Sequence, residues 1–293
     1  MVLFGRKKKN DEKFKIFRHK KIKLGLALGG GGARGVAHIG VIRAFEELGL
    51  SFDIVAGTSA GAIVGSLYSA GRTSLQMQKL ALSLKTKDIR TSKFFFKPSK
   101  ASGISSILKK EFGKNLLFSE LKNDFCAVAV DIKTGNEVDF TTGSVPETVA
   151  GSCAVPGVFV PVSYDDMFLV DGGLKNNVPA DVARKMGADV VIAVDVNHNR
   201  GRGTKSTKLF SVLGSTIGVL MRDVVRAKLE YADIVLEPEL TKYPSTKLEN
   251  VDEMIKIGYD CVMENLDKIA PLVSKKVPLR KKRLWKRKLG SKL

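Results

Sequence analysis

Short apolar runs alternate with amphipathic stretches along this chain. Residues 22–28 (IKLGLAL), 52–56 (FDIVA), 126–130, 167–170 and 189–196 (DVVIAVDV) are apolar runs bounded by turn residues, a pattern that predicts buried strands. Between the first two, Val36, Ile39, Val41, Ile42, Phe45 and Leu48 recur at helical spacing up to Gly49, which predicts a helix over 36–48. Helices are also expected over 60–70, 75–84, 179–186, 209–231 and 251–269, and a short strand over 233–236. Lys133-Thr134-Gly135-Asn136 reads as a hairpin turn into a strand over 137–141. Residues 88–124 and 151–162 show no clear period, and 197–208 form a polar, basic stretch. Strands alternating with helices predict an α/β fold with a mostly parallel central sheet covered by helices.

Charge adds two arms to this picture. The net charge is +19 over 293 residues, but residues 1–23 hold ten Lys/Arg against Asp11 and Glu12, and 275–293 hold ten with no acid. The two ends therefore carry all but about one of the net positive charges. The expected organisation is a basic arm over 1–20, one domain over 21–273 and a second basic arm over 274–293. Such arms attract polyanions, an anionic membrane surface or nucleic acid. On a helix after Pro278, Leu279, Trp285, Leu289 and Leu293 share a broad face, the composition of an interfacial anchor. Such a run equally permits nucleic-acid binding or a soluble tail; reversible membrane contact is the leading expectation. Phe94-Phe95-Phe96 between lysines fits a lipid entrance or an ordinary packed loop.

Cys126, Cys153 and Cys261 are odd in number and far apart, so neither a disulfide framework nor a zinc set is expected. No apolar stretch reaches the ~18 residues of a membrane span, and no apolar segment follows the basic N-terminus as in a secretory signal. A reduced, cytoplasmic setting is expected, with peripheral placement at the inner face of the membrane.

The candidate chemistry starts at Gly57-Thr58-Ser59-Ala60-Gly61, which follows one predicted strand and opens a helix. This is the context of a nucleophile elbow, whose sharp turn lifts a serine hydroxyl to the end of a sheet. A second glycine-rich turn, residues 29–35 (GGGGARG), also lies between strand and helix. Its bare amides, Gly30, Gly31 and Gly32, suit an oxyanion, and Arg34 either supports the loop, meets a phosphate or makes an ion pair. Gly30, Gly32 and Gly35 satisfy a dinucleotide fingerprint too. Asp53, however, begins the strand whose far end carries the serine, where a ribose-binding acid should end it; no Gly-Lys-Ser/Thr supports a P-loop either.

The base is less direct. His19 lies in the basic arm, His38 on the helix after the glycine loop, and His198 beyond a strong strand, where Ser59, Asp171 and His198 would follow the chain order of a hydrolase triad. Asp171 ends a strand and precedes Gly172-Gly173; it can serve as base without a histidine or simply begin an Asp-Gly turn.

Residues 29–35 (GGGGARG), 57–61 (GTSAG), 152–161 (SCAVPGVFVP) and 171–173 (DGG) resemble, in order, the four motifs of the patatin-like phospholipases, and the similarity runs from about Lys21 to Leu272. The resemblance implies a three-layer α/β/α sandwich. It also implies a lipid acyl hydrolase using Ser59 and Asp171 as a dyad, with the glycine loop as oxyanion hole and no metal or cofactor. Many members begin the glycine motif with Asp where this chain has Gly29. A non-catalytic binding module on the same fold is the alternative.

Overall fold

The computed structural model describes residues 22–84, 99–198 and 222–274. The strands are β1 (Leu24–Leu28), β2 (Ile54–Thr58), β3 (Asp124–Asp131), β4 (Asn136–Phe140), β5 (Val162–Tyr164), β6 (Met167–Asp171), β7 (Val190–Val194) and β8 (Ile234–Leu236). The helices are α1 (Ala37–Leu48), α2 (Ala60–Ser69), α3 (Ser74–Ser83), α4 (Ser102–Phe112), α5 (Val145–Ser152), α6 (Ala180–Lys185), α7 (Val251–Glu264) and α8 (Leu266–Val273). The basic arms, Phe94 to Phe96, His19 and the first part of the 209–231 stretch lie outside the described residues; residues 222–229 are helical.

One sheet pairs in the order β5-β6-β3-β2-β1-β7-β8, with β4 also on β3. β3, β2, β1, β7 and β8 run parallel, while β4 and β6 are antiparallel to β3. The continuous apolar runs arise because the parallel strands are covered on both faces. Leu24, Leu26 and Leu28 of β1 face a core shared with α1 and α7, whereas Ala27 faces a smaller one formed with Ala180, Val182 and Ala183 of α6. The result is the expected α/β/α sandwich.

α1 is buried on nearly every side because α7 crosses it at contact distance. A Cβ on Gly40 would sit 1.8 Å from the Ile255 carbonyl oxygen, and one on Gly258 would sit 2.0 Å from that of Ala37. With the two backbones this close, Phe45, Ile42 and Leu48 lose essentially all solvent contact, each contributing about 1.5–3 kcal/mol. α1 ends as expected, at Gly49 in the left-handed conformation (φ 75°).

Four elements differ from the sequence reading, the first being the short strand β5, which was not expected. The helix expected over 251–269 breaks at Asn265, whose side-chain amide donates to the Cys261 carbonyl (2.9 Å) and whose non-helical backbone (φ −101°, ψ 15°) separates α7 from α8. The aperiodic 88–124 region contains α4. α5 was not expected at all, although Ser144 caps it by accepting the Glu147 N–H (3.4 Å) and Pro146 stands in its first turn.

Candidate active site

Ser59 stands between β2 and α2 with φ 54° and ψ −123°, a backbone region that costs on the order of 1–3 kcal/mol for a residue with a side chain. Tight packing permits the turn only with glycine on each side. A Cβ on Gly57 would lie 2.6 Å from the Gly61 carbonyl oxygen, and one on Gly61 would lie 2.0 Å from that of Leu28. The turn is also tied down by hydrogen bonds. Thr58 Oγ1 donates to the Asn176 carbonyl (2.7 Å), and the Ser59 N–H donates to Ser152 Oγ (2.9 Å).

The sheet register brings Asp171 to the same point. On β3, residues 127–128 pair with both β2 and β4, and residues 129–131 pair with both β6 and β4. A strand residue has only two pairing edges, so β2 and β6 share the edge of β3 opposite β4 and meet end to end. Thr58 pairs with Val128 and Asp171 with Ala129, one residue step of roughly 3.3 Å apart. The last residue of β6 therefore arrives where the chain leaves β2 for Ser59. Asp171 is 7% and Ser59 8% exposed, so both are shielded from bulk water. Asp171 Oδ1 accepts the Gly173 N–H (2.7 Å), and the Asp171 N–H donates to the Ala154 carbonyl (3.0 Å). Burial first, then the Asp171 charge, push the Cys153 thiol well above the ordinary range, with the Ser59 side chain acting in the opposite direction.

The glycine loop passes directly over Ser59, for a Cβ on Gly30 would stand 3.2 Å from Ser59 Cβ. Among the three amides expected to face an oxyanion, that of Gly30 is already engaged, donating to the Asn177 carbonyl (3.0 Å). The expectation for Gly30 is corrected accordingly; Gly31 and Gly32, whose amides carry no hydrogen bond among the described residues, keep the donor role open. The Gly30 carbonyl accepts from Asn177 Nδ2 and Asn197 Nδ2, both at 3.2 Å. Arg34 braces the same loop, donating from Nε to the Tyr243 carbonyl and from Nη1 to Asn197 Oδ1, each at 2.7 Å. Burial lowers its pKa against the opposing Glu239 charge.

His38, read from sequence as one more helix-face residue, is fully buried and donates from Nε2 to the Gly29 carbonyl (2.8 Å). Burial pushes its pKa down to about 4, and the Gly29 bond only partly opposes this. The unfolded chain takes up this proton near 6.5 and the native chain only near 4, so between those values the unfolded state binds more protons. Stability is then held above pH 6.5 and lost as the pH falls towards 4, by about 3 kcal/mol at roughly 1.4 kcal/mol per unit. Denaturant titrations at pH 7 and 4.5 should show this loss in the wild type and a smaller one in His38→Gln. His198, just past β7, places Nε2 3.5 Å from Glu239 Oε2.

Asn176, Asn177 and Asn197 carried no distinctive sequence signal, and Ser152 and Cys153 opened the 152–161 motif without their contacts at the junction being legible from it. Asn176 Nδ2 bridges the carboxylates of Glu137 and Asp181 (both 2.8 Å), and Lys228 closes this network through Asp181 (2.5 Å). It lies behind the elbow and anchors the Asn176 carbonyl that holds Thr58. Among the described residues, no group of three or more His, Cys, Asp or Glu is placed to hold a metal ion, and no helix is long and apolar enough to cross a membrane. A cavity of about 430 Å³ lies against Leu82, Leu248 and Val251, and another of about 440 Å³ against Val235, Ile257 and Cys261; neither is lined by Ser59 or Asp171.

A family model described as patatin-like phospholipase matches residues 26–184. Among relatives, patatin-like phospholipase domain-containing protein 7 of Mus musculus is 32% identical over 277 residues, covering 80% of this chain and 20% of that protein. Lysophospholipase nte1 of Emericella nidulans is 28% identical over 278 residues, covering 84% of this chain and 18% of the fungal protein. The chain thus spans about a fifth of the length of these relatives. Among solved structures, VipD from Legionella pneumophila superimposes with a TM-score of 0.55 at 15% identity, over 84% of this chain and 66% of its own, which shows a shared fold. The family match covers more than half of the chain, from the first strand past the junction of β2 and β6, and on that basis the chain belongs to the patatin-like phospholipase family.

Proposed function

We propose that this chain is a serine esterase that cleaves carboxylic esters of phospholipids or lysophospholipids through a Ser59–Asp171 dyad. The observation that carries the reading is the end-to-end meeting of β2 and β6 on consecutive residues of β3, beneath the glycine loop. Ser59 Oγ attacks the ester carbonyl and its proton passes to Asp171. The tetrahedral oxyanion is stabilised by the Gly31 and Gly32 amides. Collapse expels the alcohol, which takes the proton back from Asp171. Water, deprotonated by Asp171, then attacks the acyl-Ser59 ester; as the acyl–oxygen bond breaks, Ser59 Oγ takes that proton back from Asp171 and the fatty acid is released. Arg34 acts in this scheme by bracing the loop. The printed names of the relatives, a phospholipase-domain protein and a lysophospholipase, support the substrate class.

The basic arms hold the enzyme reversibly at an anionic membrane surface, the inner face of a cytoplasmic setting, where its substrate resides. The test is fatty-acid release by the full chain from vesicles of diacyl- and lysophospholipids and from short-chain esters. Release is expected, and His198→Ala should retain turnover within about threefold, as a two-residue dyad requires. No release from any of these substrates, together with tight vesicle binding, points instead to a binding module.

A further inference from the structure

Three consecutive residues at the end of α5 reach every part of this junction. Ser152 is fully buried, and its hydroxyl bridges two strands, accepting the Ser59 N–H (2.9 Å) and donating to the Val128 carbonyl of β3 (2.5 Å). The Cys153 thiol is fully buried beside the pair, the Asp171 charge raising its pKa and the Ser59 side chain opposing this. The Ala154 carbonyl accepts the Asp171 N–H (3.0 Å). Val128 is also the β3 residue that pairs with Thr58, and its neighbour Ala129 pairs with Asp171.

We propose that residues 152–154 form a clamp that sets the position of Ser59 relative to Asp171, with the Ser152 hydroxyl as the positioning group. The inference rests on the Ser59–Asp171 reading above and extends it to a residue that touches neither substrate nor reacting atom. A hydroxyl both accepts and donates, so one side chain joins the amide of the nucleophile to the carbonyl of the strand that carries both β2 and β6. This bond fixes a residue in a strained turn, where the backbone by itself favours other angles. It also commits the Ser59 amide, leaving the donors for an oxyanion on the glycine loop and on Ala60, whose N–H opens α2 and carries no hydrogen bond among the described residues. Removing the hydroxyl frees the turn to shift, and displacements of about 1 Å at a reacting pair cost on the order of 10²-fold in rate.

The test uses the full chain and a soluble p-nitrophenyl ester, with kcat and KM measured for wild type, Ser152→Ala, Ser152→Cys and Ser152→Thr. The expected result for Ser152→Ala is a kcat lower by about 10- to 100-fold with KM within about twofold, and a folded fraction, read by circular dichroism, equal to that of wild type. Ser152→Thr, which restores the hydroxyl, should recover most of the lost kcat, and Ser152→Cys, a weaker donor of similar shape, should lie between. If the alanine variant does not fold, the cysteine variant decides, since unchanged kcat there overturns the proposal. It is equally overturned by Ser152→Ala with kcat within twofold of wild type, by a loss that merely follows the folded fraction, or by a raised KM with kcat intact. A wild-type chain that neither turns over the ester nor reacts with a fluorophosphonate overturns the dyad reading and this inference with it, whereas an active wild type with an equally active Ser152→Ala overturns the clamp alone.

Discussion

Ser59→Ala should leave the protein folded, lose all labelling by a fluorophosphonate and lower ester turnover by at least about 10⁴-fold, the scale on which loss of a catalytic nucleophile is felt. The fold should tolerate the change because the Ser59 side chain caps no helix amide: α2 starts with no side-chain hydrogen bond at its first turn. The bonds that hold the turn are made by the Ser59 N–H to Ser152 and by the Ser59 carbonyl, which accepts from Ala62 (2.8 Å) and Ile63 (3.1 Å); alanine keeps both. Alanine also keeps the backbone strain at φ 54°, so the two proteins should melt within a few degrees of each other. What is removed is the oxygen that attacks. Gel fluorescence after labelling, run beside a turnover assay, separates these effects, and labelling that persists in the variant would place the nucleophile elsewhere.

Asp171→Asn should be nearly as damaging to turnover, about 10³-fold or more, because the loss is of the proton acceptor and not of shape. Asparagine can still accept the Gly173 N–H that Asp171 Oδ1 accepts now, and its backbone still donates to Ala154. The loop after β6 should therefore keep its course. The variant should also react slowly with a fluorophosphonate, since Ser59 remains present without its base. Fatty-acid release measured from pH 6 to 9 gives the test. An Asp171→Asn protein retaining more than about a tenth of wild-type kcat would assign the base to another group, and His198→Ala would then be expected to inactivate.

Much of the architecture was legible because parallel strands covered on both faces must be apolar throughout. β1, β2, β3 and β7 therefore stand out as uninterrupted runs, antiparallel β6 shows only as a short apolar run ending at Asp171, and α1 stands out by its spacing and its terminal Gly49. What escaped was short or set by contacts. β5 has three residues. α5 has eight, too few for a periodicity to show, although Ser144, Pro146 and Glu147 mark its start. The break at Asn265 depends on a side chain turning back to the Cys261 carbonyl, and apolar residues on both sides hid it.

The site divides along the same line. A serine between glycines, a run of bare glycines and an aspartate before Gly172-Gly173 are requirements of local backbone geometry and of chemistry, so the sequence by itself determined these residue types, their spacing and the family they resemble. It could not determine which amides remain available or what holds the reacting groups, because those partners are distant in the chain: Ser152 lies 93 residues from Ser59, and Asn177 lies 147 from Gly30. Only the tertiary structure decided that Asn177 takes the Gly30 amide, that His38 supports the glycine loop as a neutral ring, and that β2 and β6 end against each other on one edge of β3. The physical reason is that hydrogen-bond partnership and burial depend on distance in space, which the sheet register sets and the order of residues does not.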